Sequence, residues 1–388
     1  MASRPRSKPP LCIDIVLVNT EHPSCEPSPG STCNTYRLEG LSIGHDYLRF
    51  EGTMLSSNIS PSALHVEAIL GRGACSIVKR ARHVVTGEPY ALKIFQIRGD
   101  VLRKAMLEKE LRALCCLDCD SLVGLVGSFY DRQAGEVTMV LEYMDRGSLV
   151  DVMNHHHRQH FQSLALPESA VASIAFQMLW GIAYLHYENV IHRDIKPANV
   201  LVNSEGEVKL SDFGIISTKG KQEEEVGGEM NCTVVGTTRY MSPERLRARP
   251  YSTSSDIWSF GLVVLECATG SSPFESVSSM VELLLTLEET PVEQLVPRSL
   301  SEGLQELLCG CLQREPERRI PADILIASPW FESFGIVDLE SAVQVMYDYV
   351  DVSYEPQQPE QLSSSAWQSR FKQQLMRTSV ATPTKATS

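Results

Sequence analysis

The chain has 388 residues, of which 43% are hydrophobic and 21% are charged, and its formal net charge at pH 7 is -13. This composition is typical of a soluble globular protein with a large core, and the length leaves room for more than one domain. The acidic charge argues against a nucleic-acid partner. No apolar run approaches the roughly 18 residues that span a membrane, so we expect no membrane partner either.

The eleven cysteines are irregularly spaced, and no signal-peptide pattern precedes them. Disulfide frameworks are typical of short secreted chains, so we expect reduced thiols and a cytoplasmic location, with the nucleus as the alternative. Cys115, Cys116 and Cys119 contain a single C-x-x-C without a matching second pair. This pattern favours a half-buried thiol cluster over a metal site.

Residues 1–60 are rich in Pro, Ser, Cys and Gly, which predicts a mostly disordered extension with one strand pair between Tyr36 and Phe50. Near its start, a basic cluster precedes alternating apolar residues, and such a segment could lie extended in a partner's groove. A solubilising basic tail is the alternative interpretation. The positions concerned are Arg4, Arg6, Lys8, Leu11 and Ile13.

From His65 onward the sequence shows strand-like patterns. The stretch from Ile69 to Val78 predicts a glycine-rich turn between two strands. Glycine lets backbone amides approach a phosphate closely, so Gly71 and Gly73 are candidate phosphate-binding positions. Such turns are common, and this one alone is a weak signal. A further strand ends at Lys93, which places an ammonium group nearby.

The most informative stretch runs from His192 to Gly214. Two short β-branched runs, 200–202 and 208–210, flank a polar turn and predict a hairpin with charged residues at both ends. The hairpin brings together two acids, one amide and one cation, which suits phosphoryl transfer to a hydroxyl. The four converging residues are Asp194, Lys196, Asn199 and Asp212.

The order His-Arg-Asp, Asn, Asp-Phe-Gly in this stretch resembles that of eukaryotic protein kinases. The resemblance covers about residues 65 to 331 and implies an α+β, bilobal fold with a small β-rich N-lobe and a larger helical C-lobe. A helix should cover Glu168 to Tyr187, and the helix at Asp256 should brace the catalytic loop. Arg319 is the expected structural partner of Glu244.

The resemblance also implies how ATP is bound. Lys93 would contact the α- and β-phosphates, positioned by Glu110 on a helix from about Val101 to Cys115, whereas Glu108 would be a solvated charge. Asn199 and Asp212 would hold Mg²⁺, Asp194 would accept or orient the substrate hydroxyl, and Lys196 would stabilise the transferring phosphoryl group. The adenine would contact Val78, Ala91 and Leu201, the gatekeeper Leu141, and the backbone of Glu142 and Met144.

The segment Cys232 to Leu246, together with Lys196, resembles the MAP kinase kinases, which are dual-specificity enzymes. This implies a downstream MAP kinase, an upstream MAP kinase kinase kinase, and a MAP-kinase-docking role for the basic N-terminal segment. A helix at 336–350 would either dock the upstream kinase or pack on the C-lobe. Residues 351–388 should form a disordered tail.

Thr233 is the predicted activating phosphorylation site, because Arg193 beside Asp194 would lack a partner until a phosphate arrives. The family's second acceptor is replaced here by Glu229 or Gly227, so we expect activation at a single site, with Glu229 supplying some fixed negative charge. The acidic stretch at 223–225 could equally be a solvated loop.

Two other functions stay open. One is a Ser/Thr kinase of the Sterile-20-like or MAP kinase kinase kinase type, because such kinases share parts of the activation segment, Cys232 to Leu246. A pseudokinase scaffold is disfavoured, because every catalytic position carries the functional residue type. The histidine run at 155–157 has no acidic or cysteine neighbour, so we interpret it as a solvated loop and not as a metal site.

Overall fold

The computed structural model describes residues 35–38, 41–45, 47–51, 53–56, 59–73, 76–98, 101–159, 164–212, 216–217 and 238–350. Several sequence predictions lie outside these ranges. They are the docking segment at 4–13, the phosphorylation site Thr233, the acidic stretch that includes Glu229, and the tail from 351.

Among the described residues, the N-lobe contains two antiparallel sheets and one α-helix. Strands β1 to β4 form a four-stranded meander, and β5 to β9 form a five-stranded sheet in the order β5-β6-β7-β9-β8. Helix α1 spans Val101–Cys116. The strands are β1 Tyr36–Leu38, β2 Leu41–Ile43, β3 Leu48–Phe50, β4 Thr53–Ser56, β5 Leu64–Arg72, β6 Ser76–His83, β7 Pro89–Gln96, β8 Leu125–Asp131 and β9 Glu136–Glu142.

The C-lobe is mainly helical, with short strands at its junction with the N-lobe. The strands are β10 Gly147–Ser148, β11 Val190–Ile191, β12 Val200–Val202, β13 Val208–Leu210 and β14 Ile216–Ser217. The helices are α2 Leu149–Gln159, α3 Glu168–Tyr187, α4 Pro243–Leu246, α5 Ser254–Thr269, α6 Met280–Glu289, α7 Val292–Leu295, α8 Glu302–Cys311, α9 Ala322–Leu325, α10 Pro329–Glu332 and α11 Leu339–Tyr349.

The meander β1–β4 corrects one expectation. A single strand pair was predicted between Tyr36 and Phe50, but four strands form. Each strand has only three or four residues, which is too short for a clear alternating pattern. The strands are stabilised instead by burial of one face against the rest of the N-lobe, which a local sequence pattern does not reveal.

Helix α3 is the centre of the C-lobe and has the predicted bounds. Its length and apolar composition would suit a membrane span, but most of it is buried inside this lobe, as in the core helix of a globular domain. Together with α5 it contributes to one large apolar core, in which Trp258 and Phe260 are almost fully buried. This core fixes the position of the loop between β11 and β12.

The structure also corrects the interpretation of the histidine run. Residues 155–157 lie in α2 and not in a loop, and His156 has only 6% of its surface exposed. The hydroxyl of Tyr349, at the end of α11, lies 3.1 Å from His156 Nδ1. The partner of this histidine lies almost 200 residues away in sequence, so the local pattern could not show that the run is packed.

Candidate active site

The predicted contact between Lys93 and Glu110 is present. Lys93 Nζ lies 2.5 Å from Glu110 Oε1, and it lies at the same distance from Asp212 Oδ1. Strand β7 positions the lysine and helix α1 positions the glutamate, whereas Glu108 pairs with Arg112 one turn along the same helix. Burial opposes a charge on Lys93, but the two carboxylates outweigh it and raise the pKa of the ammonium.

A second group forms around Asp194. Lys196 Nζ donates to Asp194 Oδ2 at 2.7 Å, and Asn199 Nδ2 donates to the same oxygen and to the Asp194 carbonyl, both at 2.8 Å. Among the described residues, Oδ1 has no hydrogen-bond partner. One carboxylate oxygen is therefore oriented and the other can accept a proton or a hydroxyl hydrogen bond.

The hairpin of β12 and β13 joins these two groups, as the sequence predicted. Val200 pairs with Leu210 at its open end. Beyond that pair, the Ser211 amide donates to the Asn199 carbonyl at 2.9 Å. Asn199 is thereby held beside the chain that leads into Asp212, and the two candidate metal ligands lie on one side of the site.

Asp256 of α5 braces the catalytic loop from below. Its carboxylate accepts hydrogen bonds from the backbone amides of His192 (2.8 Å) and Arg193 (2.9 Å) and lies 3.0 Å from His186 Nε2. These contacts hold Arg193 in a left-handed conformation (φ 71°), which is unfavourable for a residue with a side chain. Burial would raise the pKa of Asp256, but the donors around it lower the pKa and keep it a carboxylate.

The positions expected to contact adenine line the junction of the lobes. Ala91 of β7 pairs with Leu141 of β9, and both belong with Leu201 of β12 to one apolar cluster. Met144 follows β9 and is 5% exposed. Val78 pairs with Gly71 across β6 and β5. These residues form an apolar wall beside the charged groups.

The glycine positions pass a simple test of fit to a phosphate ligand. Gly71 does not have a positive φ, and a Cβ built on it would meet no atom of the described residues within 4 Å. Neither the backbone conformation nor packing against the described residues therefore requires glycine here. A ligand that approaches the backbone would supply the requirement. Gly73 donates its amide to the Ser76 carbonyl at 2.9 Å and shapes the turn.

Sequence reasoning missed one ionic contact at the junction of the lobes. Lys209 of β13 donates to Glu142 Oε2 at 2.9 Å, and Glu142 Oε1 accepts from the Gly124 amide at 2.6 Å. Only the backbone of Glu142 had been expected to matter. A charged residue in the otherwise apolar run 208–210 was the available signal. The contact ties the end of β9 to the catalytic hairpin.

Two arginines lie beside the catalytic loop. The guanidinium groups of Arg193 and Arg245 lie 4.8 and 5.4 Å from the ring centre of Tyr251, and Arg245 donates to the Arg193 carbonyl at 2.5 Å. The predicted pair of Arg319 and Glu244 is also present, as two parallel hydrogen bonds of 2.7 and 2.8 Å. This pair anchors α4, which forms the end of the segment Cys232 to Leu246.

The arrangement also suits a divalent metal. Asp212 uses only Oδ1 for Lys93, its side chain is 47% exposed, and Asn199 uses its amide nitrogen for Asp194. The remaining carboxylate and amide oxygens are the hard ligands that Mg²⁺ prefers. With cations on one side and an oriented carboxylate on the other, the site is chemically suited to phosphoryl transfer.

Comparison with known proteins agrees with this chemistry. A family model described as "Protein kinase domain" matches residues 64–331. The chain is 37% identical to Mitogen-activated protein kinase kinase 2 of Arabidopsis thaliana over 283 residues, which cover 71% of this chain and 74% of that protein.

Two further relatives come from other organisms. Mitogen-activated protein kinase kinase 1c of Physcomitrium patens is 35% identical over 321 residues, 78% of this chain and 89% of its own. Dual specificity mitogen-activated protein kinase kinase 1 of Dictyostelium discoideum is 40% identical over 263 residues, 67% of this chain and 36% of its own. The family-model match at 64–331 includes the catalytic site described above.

Proposed function

This chain belongs to the protein kinase family, among the MAP kinase kinases, and we propose that it transfers the γ-phosphate of ATP to a threonine and a tyrosine in the activation loop of a MAP kinase. The observation that carries the proposal is a pair of side-chain groups that the hairpin of β12 and β13 connects. In one group Lys93 is bound to Glu110 and Asp212, and in the other Asp194 is bound to Lys196 and Asn199.

Each group has a separate task in the transfer. Lys93 would bind the α- and β-phosphates, because its ammonium is already oriented by Glu110. Mg²⁺ held by Asn199 and Asp212 would offset the negative charge of the phosphates. Asp194 would accept the hydrogen of the attacking hydroxyl through the oxygen that Lys196 and Asn199 leave open. Lys196 would stabilise charge on the transferring group.

Phosphorylation of Thr233 by an upstream MAP kinase kinase kinase would activate the enzyme. The support is chemical: Arg193 and Arg245 lie together beside Tyr251, and a phosphate is the ligand that such guanidinium groups bind best. Thr233→Ala should therefore abolish activation by the upstream kinase, and Thr233→Glu should restore part of it. Full activation of the alanine variant would contradict single-site control.

The basic segment at the N-terminus would hold the downstream MAP kinase. Its cations Arg4, Arg6 and Lys8 suit an acidic patch, and the apolar side chains of Leu11 and Ile13 suit adjacent pockets. Replacing the three cations by alanine should raise the KM for the MAP kinase and leave the KM for ATP unchanged. An unchanged KM for the MAP kinase would favour the solubilising-tail interpretation.

A phosphotransfer assay tests the proposal. Full-length Thr233→Glu protein, with Asp194→Ala as the inactive control, is offered a panel of inactive MAP kinases and a generic basic protein. The proposal predicts transfer to one or a few MAP kinases. Transfer spread over the generic protein, on serine and threonine alone, would favour a kinase of the Sterile-20-like or MAP kinase kinase kinase type. Equal turnover by the Asp194→Ala control would show that the activity does not come from this site.

A further inference from the structure

Strands β2 and β3 of the meander share one buried face. Its register pairs Leu41 with Phe50 and Ile43 with Leu48, so these four side chains lie on the same face. Leu41, Ile43 and Leu48 are at most 1% exposed. The intervening pair of Ser42 and Arg49 lies on the opposite face, where Arg49 is exposed. The meander is therefore packed on the kinase domain, not attached as a loose extension.

This inner face shares a single apolar cluster with helix α1. The helix contributes Leu107 and Leu111, both 0% exposed, and partly buried Leu114 and Cys115. These positions follow helical spacing and form one stripe along α1. Glu110, which binds Lys93, lies immediately beside that stripe, next to Leu111. The remaining wall of the cluster comes from the five-stranded sheet, through residues such as Phe95 and Met139.

Contacts outside the cluster fix the meander at this position. The Tyr130 amide at the end of β8 donates to the Gly44 carbonyl at 2.8 Å, and the rings of Tyr36 and Tyr130 lie 5.3 Å apart. At the C-terminal end of α1, burial raises the pKa of the Cys116 thiol to about 11, and the carboxylate of Glu51 adds to this effect. Glu51 lies between β3 and β4, and Cys115 at the same end of α1 packs against the apolar cluster that contains Leu41, Ile43 and Leu48.

We propose that the meander is a positioning element for catalysis, in which Leu41, Ile43 and Leu48 hold α1 at the depth where Glu110 reaches Lys93. The proposal goes beyond the kinase activity above, on which it rests, because it places the determinants of the Lys93–Glu110 contact outside the kinase-domain match at 64–331. Ile43 is the central member, since it pairs with Tyr36 on one side and Leu48 on the other.

The physical reason is that the position of α1 must satisfy two conditions at the same time. Its apolar stripe must stay out of water, and its glutamate must meet an ammonium at 2.5 Å. With the meander in place, one helix position satisfies both. If a void opened beside Leu107 and Leu111, the helix would move partway into it, because close packing favours contact although a core relaxes only partially around a cavity. A shift of about 1 Å is enough to disturb a catalytic contact.

Three full-length variants test this. Ile43→Ala removes volume from the inner face, Ile43→Val removes a single methylene, and Ser42→Ala changes the outer face of the same strand. Each variant is prepared in two backgrounds, one with the natural Glu110 and one with Glu110→Gln, whose side chain cannot form the ion pair with Lys93. The measurements are the Kd for ATP with Mg²⁺, the kcat and KM for ATP, and amide hydrogen exchange.

We expect Ile43→Ala to weaken ATP binding about tenfold, Ile43→Val to have a smaller effect in the same direction, and Ser42→Ala to have none. In the Glu110→Gln background the effect of Ile43→Ala should largely disappear, because both changes act through the same contact. Amides of α1 should exchange faster in Ile43→Ala, whereas those of α5 in the C-lobe should not change.

Opposite results would overturn the proposal. If Ile43→Ala weakens ATP binding by the same factor in both backgrounds, or does not weaken it, the meander does not act through Glu110. Faster exchange in α5 as well as α1 would show general destabilisation. Should Ile43→Ala fail to fold, Ile43→Val gives the same comparison. Nucleotide binding and exchange need no protein substrate, so they decide this proposal even if no MAP kinase is phosphorylated.

Discussion

Lys93 Nζ lies 2.5 Å from Glu110 Oε1, and both residues are buried, with 6% and 9% of their surfaces exposed. A buried ammonium with two carboxylate partners is costly to create and is oriented before any ligand arrives. Lys93→Met should therefore lower kcat/KM for ATP about 10²- to 10³-fold with little change in fold. Steady-state kinetics and circular dichroism measure the two quantities.

The matched control for this substitution is Lys109→Met. Lys109 is exposed and directly precedes Glu110 on α1. Lys109→Met therefore removes the same positive charge as Lys93→Met, but outside the site. Its kinetics should match those of the wild type. If both variants lost activity equally, the loss would reflect helix α1 or total charge, and the orientation of Lys93 would not explain it.

Asp194 should be needed for the chemical step and not for nucleotide binding. Asp194→Asn keeps the shape of the side chain but removes the proton acceptor, and general-base catalysis is typically worth about 10²- to 10⁴-fold in kcat. The Kd for ATP should not change, because Lys93 and Asp212 are untouched. Asp120→Asn, at an exposed position, is the control. A parallel rise in Kd would mean that Asp194 acts mainly in binding.

The ion pair of Glu244 and Arg319 should contribute to the free energy of unfolding. Arg319 is 4% exposed, so Arg319→Met would leave a buried carboxylate without its two hydrogen bonds. The free energy of unfolding should fall by about 3–5 kcal/mol, measured by denaturant titration. The neighbouring Arg318 is exposed, and Arg318→Met should change the free energy of unfolding little. Equal effects of the two substitutions would contradict the assignment.

The same pair predicts the direction of a pH effect. Burial alone would raise the pKa of Glu244, but the hydrogen bonds and charge of Arg319 outweigh it and hold the pKa below the ordinary value of 4.5. The stabilisation is therefore complete above pH 4.5 and is lost as the pH falls through the lower pKa of the folded state. In Arg319→Met this loss should be absent, which denaturant titrations at several acidic pH values would detect.

Gly206 should tolerate no side chain. It lies in the turn of the catalytic hairpin with φ 83°, and a Cβ there would collide with the Val343 carbonyl and the Tyr347 amide of α11. Gly206→Ala should destabilise the protein more than Gly335→Ala, which has φ 73° but open space around the Cβ. The Gly335 variant should cost about 1 kcal/mol from backbone strain alone. Equal losses would show that the contact with α11 is dispensable.

Patterns within a short stretch of sequence were sufficient for the centre of the site. The hairpin was predicted from two β-branched runs around a polar turn, and α3 from the spacing of its apolar residues; both have the predicted bounds. The contacts of Lys93 with Glu110 and of Glu244 with Arg319 were expected from the family resemblance. The roles of these residues in ATP binding and phosphoryl transfer stay predictions.

Features that depend on distant partners could not be predicted in this way. The inner face of the meander belongs to the same apolar cluster as Leu107 and Leu111, which lie about 60 residues further along the chain. His156 is buried because α11 returns to α2. Lys209 carries its charge in an apolar run because its partner Glu142, 2.9 Å away, lies 67 residues earlier in the chain. In each case the local sequence is ambiguous and tertiary packing decides the outcome.

The central claim is that one active site phosphorylates both a threonine and a tyrosine of a MAP kinase. The most direct measurement incubates activated full-length protein with ATP, Mg²⁺ and an inactive MAP kinase from the panel, and maps the phosphorylated residues by mass spectrometry. The account predicts phosphate on both activation-loop residues, with neither modified by the Asp194→Ala variant. Phosphate on threonine or serine alone, with the tyrosine unmodified across the whole panel, would contradict it.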